Sequence, residues 1–158
     1  MSALLAFAFV ASVSGEPAAT RLDAAKAYVQ AIYRRIPGKF NYRLVRYVPE
    51  LRRLIERDDA AAKGEIGAID AVPFCDCQDT ATNYRVLRTS VESTPRGGAR
   101  VTTFLRNDKV GRFVVDLVST RGRWAVADIH TPDMPSFLAM MRREVSREEN
   151  LARPRRSQ

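Results

Sequence analysis

The spacing of apolar residues predicts a helix near the start of the chain. Within residues 21–36 the apolar side chains recur every three or four positions and so share one helical face: Leu22, Ala25, Val29, Ile32 and Ile36. Thr20 is the predicted N-terminal cap. Arg34 and Arg35 lie in the last turn, where the helix dipole favours cations.

A second amphipathic pattern follows after the Pro37-Gly38 break and predicts another helix. Because proline is tolerated only in the first turn of a helix, Pro49 places the start of this helix near Val48. The pattern continues to Ala62, and Gly64 is expected to end the helix in a left-handed conformation.

From residue 83 the apolar period changes from that of a helix to that of a strand. Four runs rich in Val, Thr, Phe, Tyr and Trp are separated by short turn segments: NYRVLRTSVES, ARVTTFLRN, GRFVVDLVST and RWAVADIH. Parallel neighbours would need long crossover connections, so these short links predict an antiparallel sheet. A last helical pattern begins near Met134.

These elements predict an α+β fold, with two N-terminal helices packed on a curved four-stranded antiparallel sheet and a short C-terminal helix. A chain of 158 residues fits one domain. We expect that domain to span residues 20–142, and residues 143–158 to form a basic, flexible tail.

The first fifteen residues predict export from the cytoplasm. Residues 3–13 carry no charge and are almost all apolar, and Ser14 and Gly15 follow. Such a run is too short to span a bilayer, which takes roughly 20 residues, and is typical of a signal peptide. We expect cleavage between residues 15 and 20 and a periplasmic or secreted protein, without a transmembrane segment in the mature chain. A buried N-terminal helix is the alternative.

The chain is strongly basic, with 26 Lys and Arg against 18 Asp and Glu. Such a balance can indicate a nucleic acid or an anionic membrane surface as partner. The arginines are spread over all the predicted elements, and no basic run is interleaved with aromatic residues that could stack on bases. We therefore expect a solvated basic surface and no nucleic-acid partner.

The segment PFCDCQD contains both cysteines of the chain, Cys75 and Cys77. Zinc sites usually need four ligands, and two cysteines supply only half a set, so we expect no metal. If Asp76 adopts a turn, the two Cα atoms come within disulfide range. The bond would then be a structural clasp for the loop before the sheet, or a reducible bond with a redox role.

The two-residue link Arg121-Gly122 predicts a tight hairpin and fixes a register in which Val115 opposes Asp128 and Phe113 opposes His130. The inward face, which would line a pocket, then carries five apolar residues: Phe113, Val115, Leu117, Trp124 and Val126. Asp128 and His130 lie on the same face. An acid beside the only histidine suits acid-base chemistry. Two structural alternatives remain open: both side chains reach solvent at the rim, or Asp128 accepts backbone hydrogen bonds at the following turn.

The order of elements, ending in the strand RWAVADI, is similar to the cone-shaped α+β fold of nuclear-transport-factor-2-like and cystatin-like proteins. The runs GEIGAIDAVPFCDCQD and DLVSTRGRWAVADIH also resemble a bacterial family of exported proteins known only as a domain of unknown function. The resemblance covers residues 24–138, and its most specific part is a loop motif of five residues besides the cysteines: Asp70, Pro73, Phe74, Asp76 and Asp79. It implies a fold, export and a homodimer through the open sheet face, but no catalytic residues.

We interpret the sequence as that of a non-catalytic module that binds a small molecule or an envelope protein, without a cofactor, between sheet and helices. Two alternatives stay open. One is a small enzyme that uses Asp128 and His130, and the other is a thiol-disulfide redox protein that uses Cys75 and Cys77.

Overall fold

A computed structural model of the protein describes residues 17–38 and 40–152. The chain forms helix α1, a short 3-10 turn, helix α2, four strands and helix α3, in this order: Ala18–Arg35, Tyr42–Leu44, Pro49–Ala62, Arg85–Ser93 (β1), Ala99–Asn107 (β2), Lys109–Thr120 (β3), Arg123–His130 (β4) and Phe137–Ala152. The predicted α+β fold, with two N-terminal helices, a four-stranded antiparallel sheet and a C-terminal helix, is confirmed.

The helix termini differ from the prediction in two places. Helix α1 begins at Ala18 after Pro17, so Thr20 lies inside the helix and is not its cap. Two alanines with high helix propensity extend the helix toward the N-terminus. Helix α2 begins at Pro49 as predicted, and Gly64 has the expected left-handed conformation, with φ 92°, but Lys63 before it is the C-cap and is also left-handed, with φ 50°.

The sheet has the order β1-β2-β3-β4, and every neighbouring pair is antiparallel. Side chains alternate between two faces, so the inner face carries apolar residues that helices cover. Val101, Val115 and Ile129 are fully buried on that face. Helix α1 packs on β1 and β2, whereas α3 packs on α2 and β4. The outer face of the sheet bears the alternate residues of each strand.

The hairpin register changes at a β-bulge between β3 and β4. The pairs Thr120–Arg123 and Leu117–Val126 match the predicted register. Beyond them Asp116 pairs with Asp128, which leaves Ala127 as the extra residue. The predicted pairings of Val115 with Asp128 and of Phe113 with His130 are therefore wrong, because one extra residue moves all following side chains to the other face.

Helix α3 extends past residue 143, where the sequence predicted a flexible tail to begin. Its side chains Met141 and Val145 are buried in the core, one helical turn apart, which explains why the helix continues. The predicted tail boundary is therefore wrong. None of the described helices is long and apolar enough to cross a membrane. The predicted signal peptide, residues 1–15, lies outside the described residues, as do residues 153–158.

Candidate ligand cleft

The β-bulge places Asp128 and His130 on the outer face of the sheet, beside Asp116 of β3. His130 Nε2 lies 3.0 Å from Asp116 Oδ2 and 3.9 Å from Asp128 Oδ2. Arg100 of β2 forms a two-pronged ion pair with the same Asp116 carboxylate, at 2.7 and 2.9 Å. The sequence thus identified two members of this polar cluster but assigned them to the inner face.

Both ring nitrogens of His130 face oxygen atoms. Nδ1 contacts the carbonyl oxygen of Pro135, which can only accept, and Nε2 contacts the Asp116 carboxylate. Two acceptors are satisfied together only by the doubly protonated imidazolium ring. Burial alone would lower the pKa of His130, but the Pro135 carbonyl and the charges of Asp116 and Asp128 outweigh it and raise that pKa.

Asp128 caps the N-terminus of helix α3. Its Oδ1 accepts hydrogen bonds from the backbone N–H groups of Ile129 and Leu138, at 2.8 and 2.9 Å. Its Oδ2 accepts from the Ser136 hydroxyl at 2.6 Å, and Ser136 Oγ accepts from the backbone N–H of Ala139. A carboxylate at a helix N-terminus stabilises the helix through these bonds and through the dipole. The side chain that the sequence offered as a catalytic acid therefore takes part in three structural hydrogen bonds.

Cys75 and Cys77 lie at disulfide-bonding distance, with their Cα atoms 5.2 Å apart. Asp76 between them has φ 50°, which is the turn conformation that the pairing requires. The backbone N–H groups of Cys75 and Asp76 both donate to the Val72 carbonyl, at 3.1 and 2.9 Å. Val72 also donates to the carbonyl of Cys77 at 2.9 Å. The segment is thus a closed loop, and both cysteine residues are buried.

This loop holds Phe74 in the core. Phe74 is fully buried, its ring meets Phe40 edge-on at 6.0 Å between centroids, and it lies against Tyr47 at 6.5 Å. Pro73 is buried beside it. The motif acids Asp70, Asp76 and Asp79 are exposed instead. Asp76 accepts a hydrogen bond from the Thr131 hydroxyl at 3.4 Å and so links this loop to the end of β4.

The five residues predicted to line a pocket divide into two groups. Val115, Leu117 and Val126 are fully buried in the core between sheet and helices, where they contact other side chains. Phe113 borders a cleft of about 350 Å³ near Cys75. Trp124 borders a different cleft, of about 410 Å³, between α1 and the start of β4.

We call the space bordered by Trp124 the α1–β4 cleft. It is bordered by helix α1, by the end of the 3-10 turn with the two residues after it, and by the first residues of β4. Its lining has an aromatic and apolar part, Tyr28, Ala31, Ile32, Leu44, Val45 and Trp124, and a cationic part, Arg35, Arg46 and Arg123. Its volume lies within the range of small-molecule sites, about 300–1,000 Å³.

The three arginines of the α1–β4 cleft are exposed. No carboxylate lines the cleft, and within residues 17–38 and 40–152 none forms a salt bridge with Arg35, Arg46 or Arg123. Three guanidinium groups without a counter-charge attract an anion, and guanidinium matches carboxylate or phosphate oxygens in pairs.

The aromatic wall of the cleft supplies contacts of another kind. The Tyr28 hydroxyl donates to the backbone carbonyl of Arg46 at 3.4 Å. Burial raises the pKa of Tyr28, although nearby arginines act in the opposite direction, so the phenol keeps its proton. Leu44 is 72% exposed at the mouth of the cleft. An apolar or flat group next to an anionic group would match this lining.

Sequence reasoning identified Trp124 but missed the other polar members of the cleft. Arg35, Arg46 and Arg123 belong to three different segments of the chain, and no local spacing relates them. The isolated backbone bridge between Tyr47 and Val126 brings two of these segments together. Its hydrogen bonds join Arg46 and Val48 to Val126, and no pattern in the sequence signals them.

Comparisons with protein-family models, with curated proteins and with solved structures found no match for this chain.

Proposed function

We propose that the protein is a non-catalytic binding module, acting outside the cytoplasm, whose α1–β4 cleft takes a small ligand with an anionic group and an apolar body. One observation carries the proposal: three exposed arginines line a cleft that contains no carboxylate. Placing like charges together is unfavourable unless an anion compensates them. An arrangement of this kind is therefore expected at an anion site.

The cleft contains a built-in reporter, since Trp124 is the only tryptophan of the chain. Titration with phenylphosphate should change the Trp124 fluorescence emission in a saturable way, whereas benzamide, an uncharged molecule with the same phenyl ring, should not. A hydrogen bond to a charged group contributes about 1.5–3 kcal/mol, and exposure reduces this value, so each arginine should contribute about 1 kcal/mol.

The variants Arg35→Gln, Arg46→Gln and Arg123→Gln should each raise the Kd for phenylphosphate by about fivefold to tenfold. Arg34→Gln is the matched control. Arg34 is exposed and adjacent to Arg35 in α1, but it does not line the cleft. The control should therefore bind phenylphosphate as the unaltered chain does.

Two results would contradict the proposal. One is equal quenching of Trp124 by phenylphosphate and benzamide, which would show that the cleft does not select charge. The other is an equal loss of affinity in Arg34→Gln and Arg123→Gln, which would show a general effect of net charge.

A further inference from the structure

A second group of arginines lies on the outer face of the sheet, away from the α1–β4 cleft. Arg85 of β1 is paired across the strands with Arg106 of β2, and Phe104 of β2 is paired with Arg112 of β3. Arg88 of β1 is paired with Phe104 and holds its guanidinium 4.5 Å above that ring. Cross-strand partners share a face, so four arginines surround one phenylalanine. We call Arg85, Arg88, Arg106 and Arg112 the sheet-face patch.

The patch has no counter-charge in the part of the chain that the structure describes. None of its four arginines forms a salt bridge with a carboxylate there. Two rows further along the same face the arrangement differs, since Arg100 is neutralised by Asp116. Like charges directly opposite one another, as in Arg85 and Arg106, destabilise a sheet. Such a cost is expected to be offset when a partner supplies the negative charge.

Exposed apolar side chains border the patch. Val110 is paired with Arg106 on the outer face and is 52% exposed, and Leu87, between Arg85 and Arg88, is 42% exposed. Contact of these apolar side chains with water does not stabilise the protein. At a bilayer surface, apolar groups bury in the interface while neighbouring cations contact phosphate headgroups.

We propose that the sheet-face patch binds the surface of an anionic phospholipid bilayer. The combination of unpaired cations with exposed Val110 and Leu87 favours lipid over nucleic acid. A single-stranded nucleic acid would need an open aromatic face for base stacking, and Arg88 covers the ring of Phe104. A second copy of the chain, facing this surface with the same four arginines, would add repulsion.

The test is cosedimentation with vesicles of phosphatidylcholine and phosphatidylglycerol at three to one, compared with phosphatidylcholine alone. The full chain should bind the anionic vesicles more tightly, and the binding should weaken as salt is raised, because surface charges are screened. Each cation near an anionic membrane contributes about fivefold in affinity, so replacing all four should lower binding by roughly a hundredfold or more. Residues 3–13, which are almost all apolar, are the same in all variants, and the neutral vesicles report their contribution.

The variant Arg85→Gln/Arg88→Gln/Arg106→Gln/Arg112→Gln is compared with a control that removes the same charge elsewhere. The control replaces four exposed arginines of α1, α2, the β1–β2 turn and α3 by glutamine: Arg34, Arg53, Arg96 and Arg143. The patch variant should lose vesicle binding, and the control should keep most of it. If the fourfold variant does not fold, the pairs R85Q/R106Q and R88Q/R112Q are measured separately, and each should lose about 25-fold.

Four outcomes would overturn the proposal. Equal binding to neutral and anionic vesicles would exclude charge recognition, and an equal loss in patch and control variants would exclude the patch. Tighter patch-dependent binding to duplex DNA than to vesicles at the same phosphate concentration, or patch-dependent self-association, would assign the surface to another partner. Cleft variants such as Arg123→Gln should keep vesicle binding, which separates this proposal from the cleft function.

Discussion

His130 should make the stability of the fold depend on pH from about 6.5, the ordinary histidine pKa, upward through its raised folded-state pKa. The ring joins β3, through Asp116, to the segment before α3, through the Pro135 carbonyl, and both contacts need a protonated nitrogen. Its folded-state pKa is raised above 6.5. The folded chain then binds more protons than the unfolded chain in this window, so stability is fully present below pH 6.5 and is lost as pH rises through the folded-state pKa.

The size of the effect follows from the contacts. A hydrogen bond to a charged group contributes about 1.5–3 kcal/mol, and the His130 side chain is 27% exposed, so the lower end of that range applies. At pH 5.5, His130→Gln should therefore reduce the free energy of unfolding by about 1.5 kcal/mol. At a pH above the folded-state pKa of His130 the difference between the two proteins should be much smaller.

Urea denaturation at a series of pH values measures this directly. Because the chain has one histidine, no other side chain with an ordinary pKa titrates in the window, and the N-terminal amine is common to both proteins. Asp116→Asn supplies the control for the partner, and the coupling between the two substitutions should vanish above the folded-state pKa. Parallel profiles of unfolding free energy against pH for the unaltered chain and His130→Gln would refute the reasoning. Greater stability of the unaltered chain above the folded-state pKa than at pH 5.5 would refute it as well.

Three further predictions concern stability and can be checked by thermal or urea unfolding. Phe74→Ala should reduce the free energy of unfolding by about 3–5 kcal/mol, because a fully buried ring is removed. Gly98→Ala should destabilise by about 1–3 kcal/mol, since the added Cβ would lie 2.3 Å from the backbone oxygen of Leu117. Asn107→Ala should remove only the hydrogen bonds to the N–H of Ala81 and to the carbonyl of Asp79. Asp128→Ala should cost about 1–2 kcal/mol and shorten α3 in hydrogen exchange, through loss of the cap, and an unchanged protection of Leu138 would contradict that role.

The sequence predicted the elements well because each has a strong local signal. Helix α2 begins at Pro49, as the proline required, and the four strands have an apolar alternation that the short turns divide. The C-terminal boundary of α3 has a weaker signal in the sequence. Its last turns mix basic and acidic residues, and only the packing of Val145 into the core shows that they belong to the helix.

The β-bulge could not be predicted in the same way. Ala127 and its neighbours have no glycine or proline that would mark an irregular strand, so a regular register was the natural expectation. The effect on the predicted site is large, because the bulge changes both the sheet face and the cross-strand partner of Asp128 and His130. The two residues predicted as a pair in a pocket are instead a helix cap, Asp128, and an ion-paired ring, His130. Acid-base catalysis would require atoms that already take part in structural hydrogen bonds.

Charge poses a related problem, because a net charge of +8 does not say where the excess lies. Arg43 and Arg100 have carboxylate partners at 2.7 Å or less, whereas Arg34 and Arg53 stand singly on helix surfaces. What distinguishes the α1–β4 cleft and the sheet-face patch is several arginines side by side without an acid, a property of tertiary register that no linear pattern contains. A single solvated arginine contributes little to recognition, but a cluster produces a local field that a ligand or a membrane can use. The two clusters, more than the net charge, are therefore where binding should be sought.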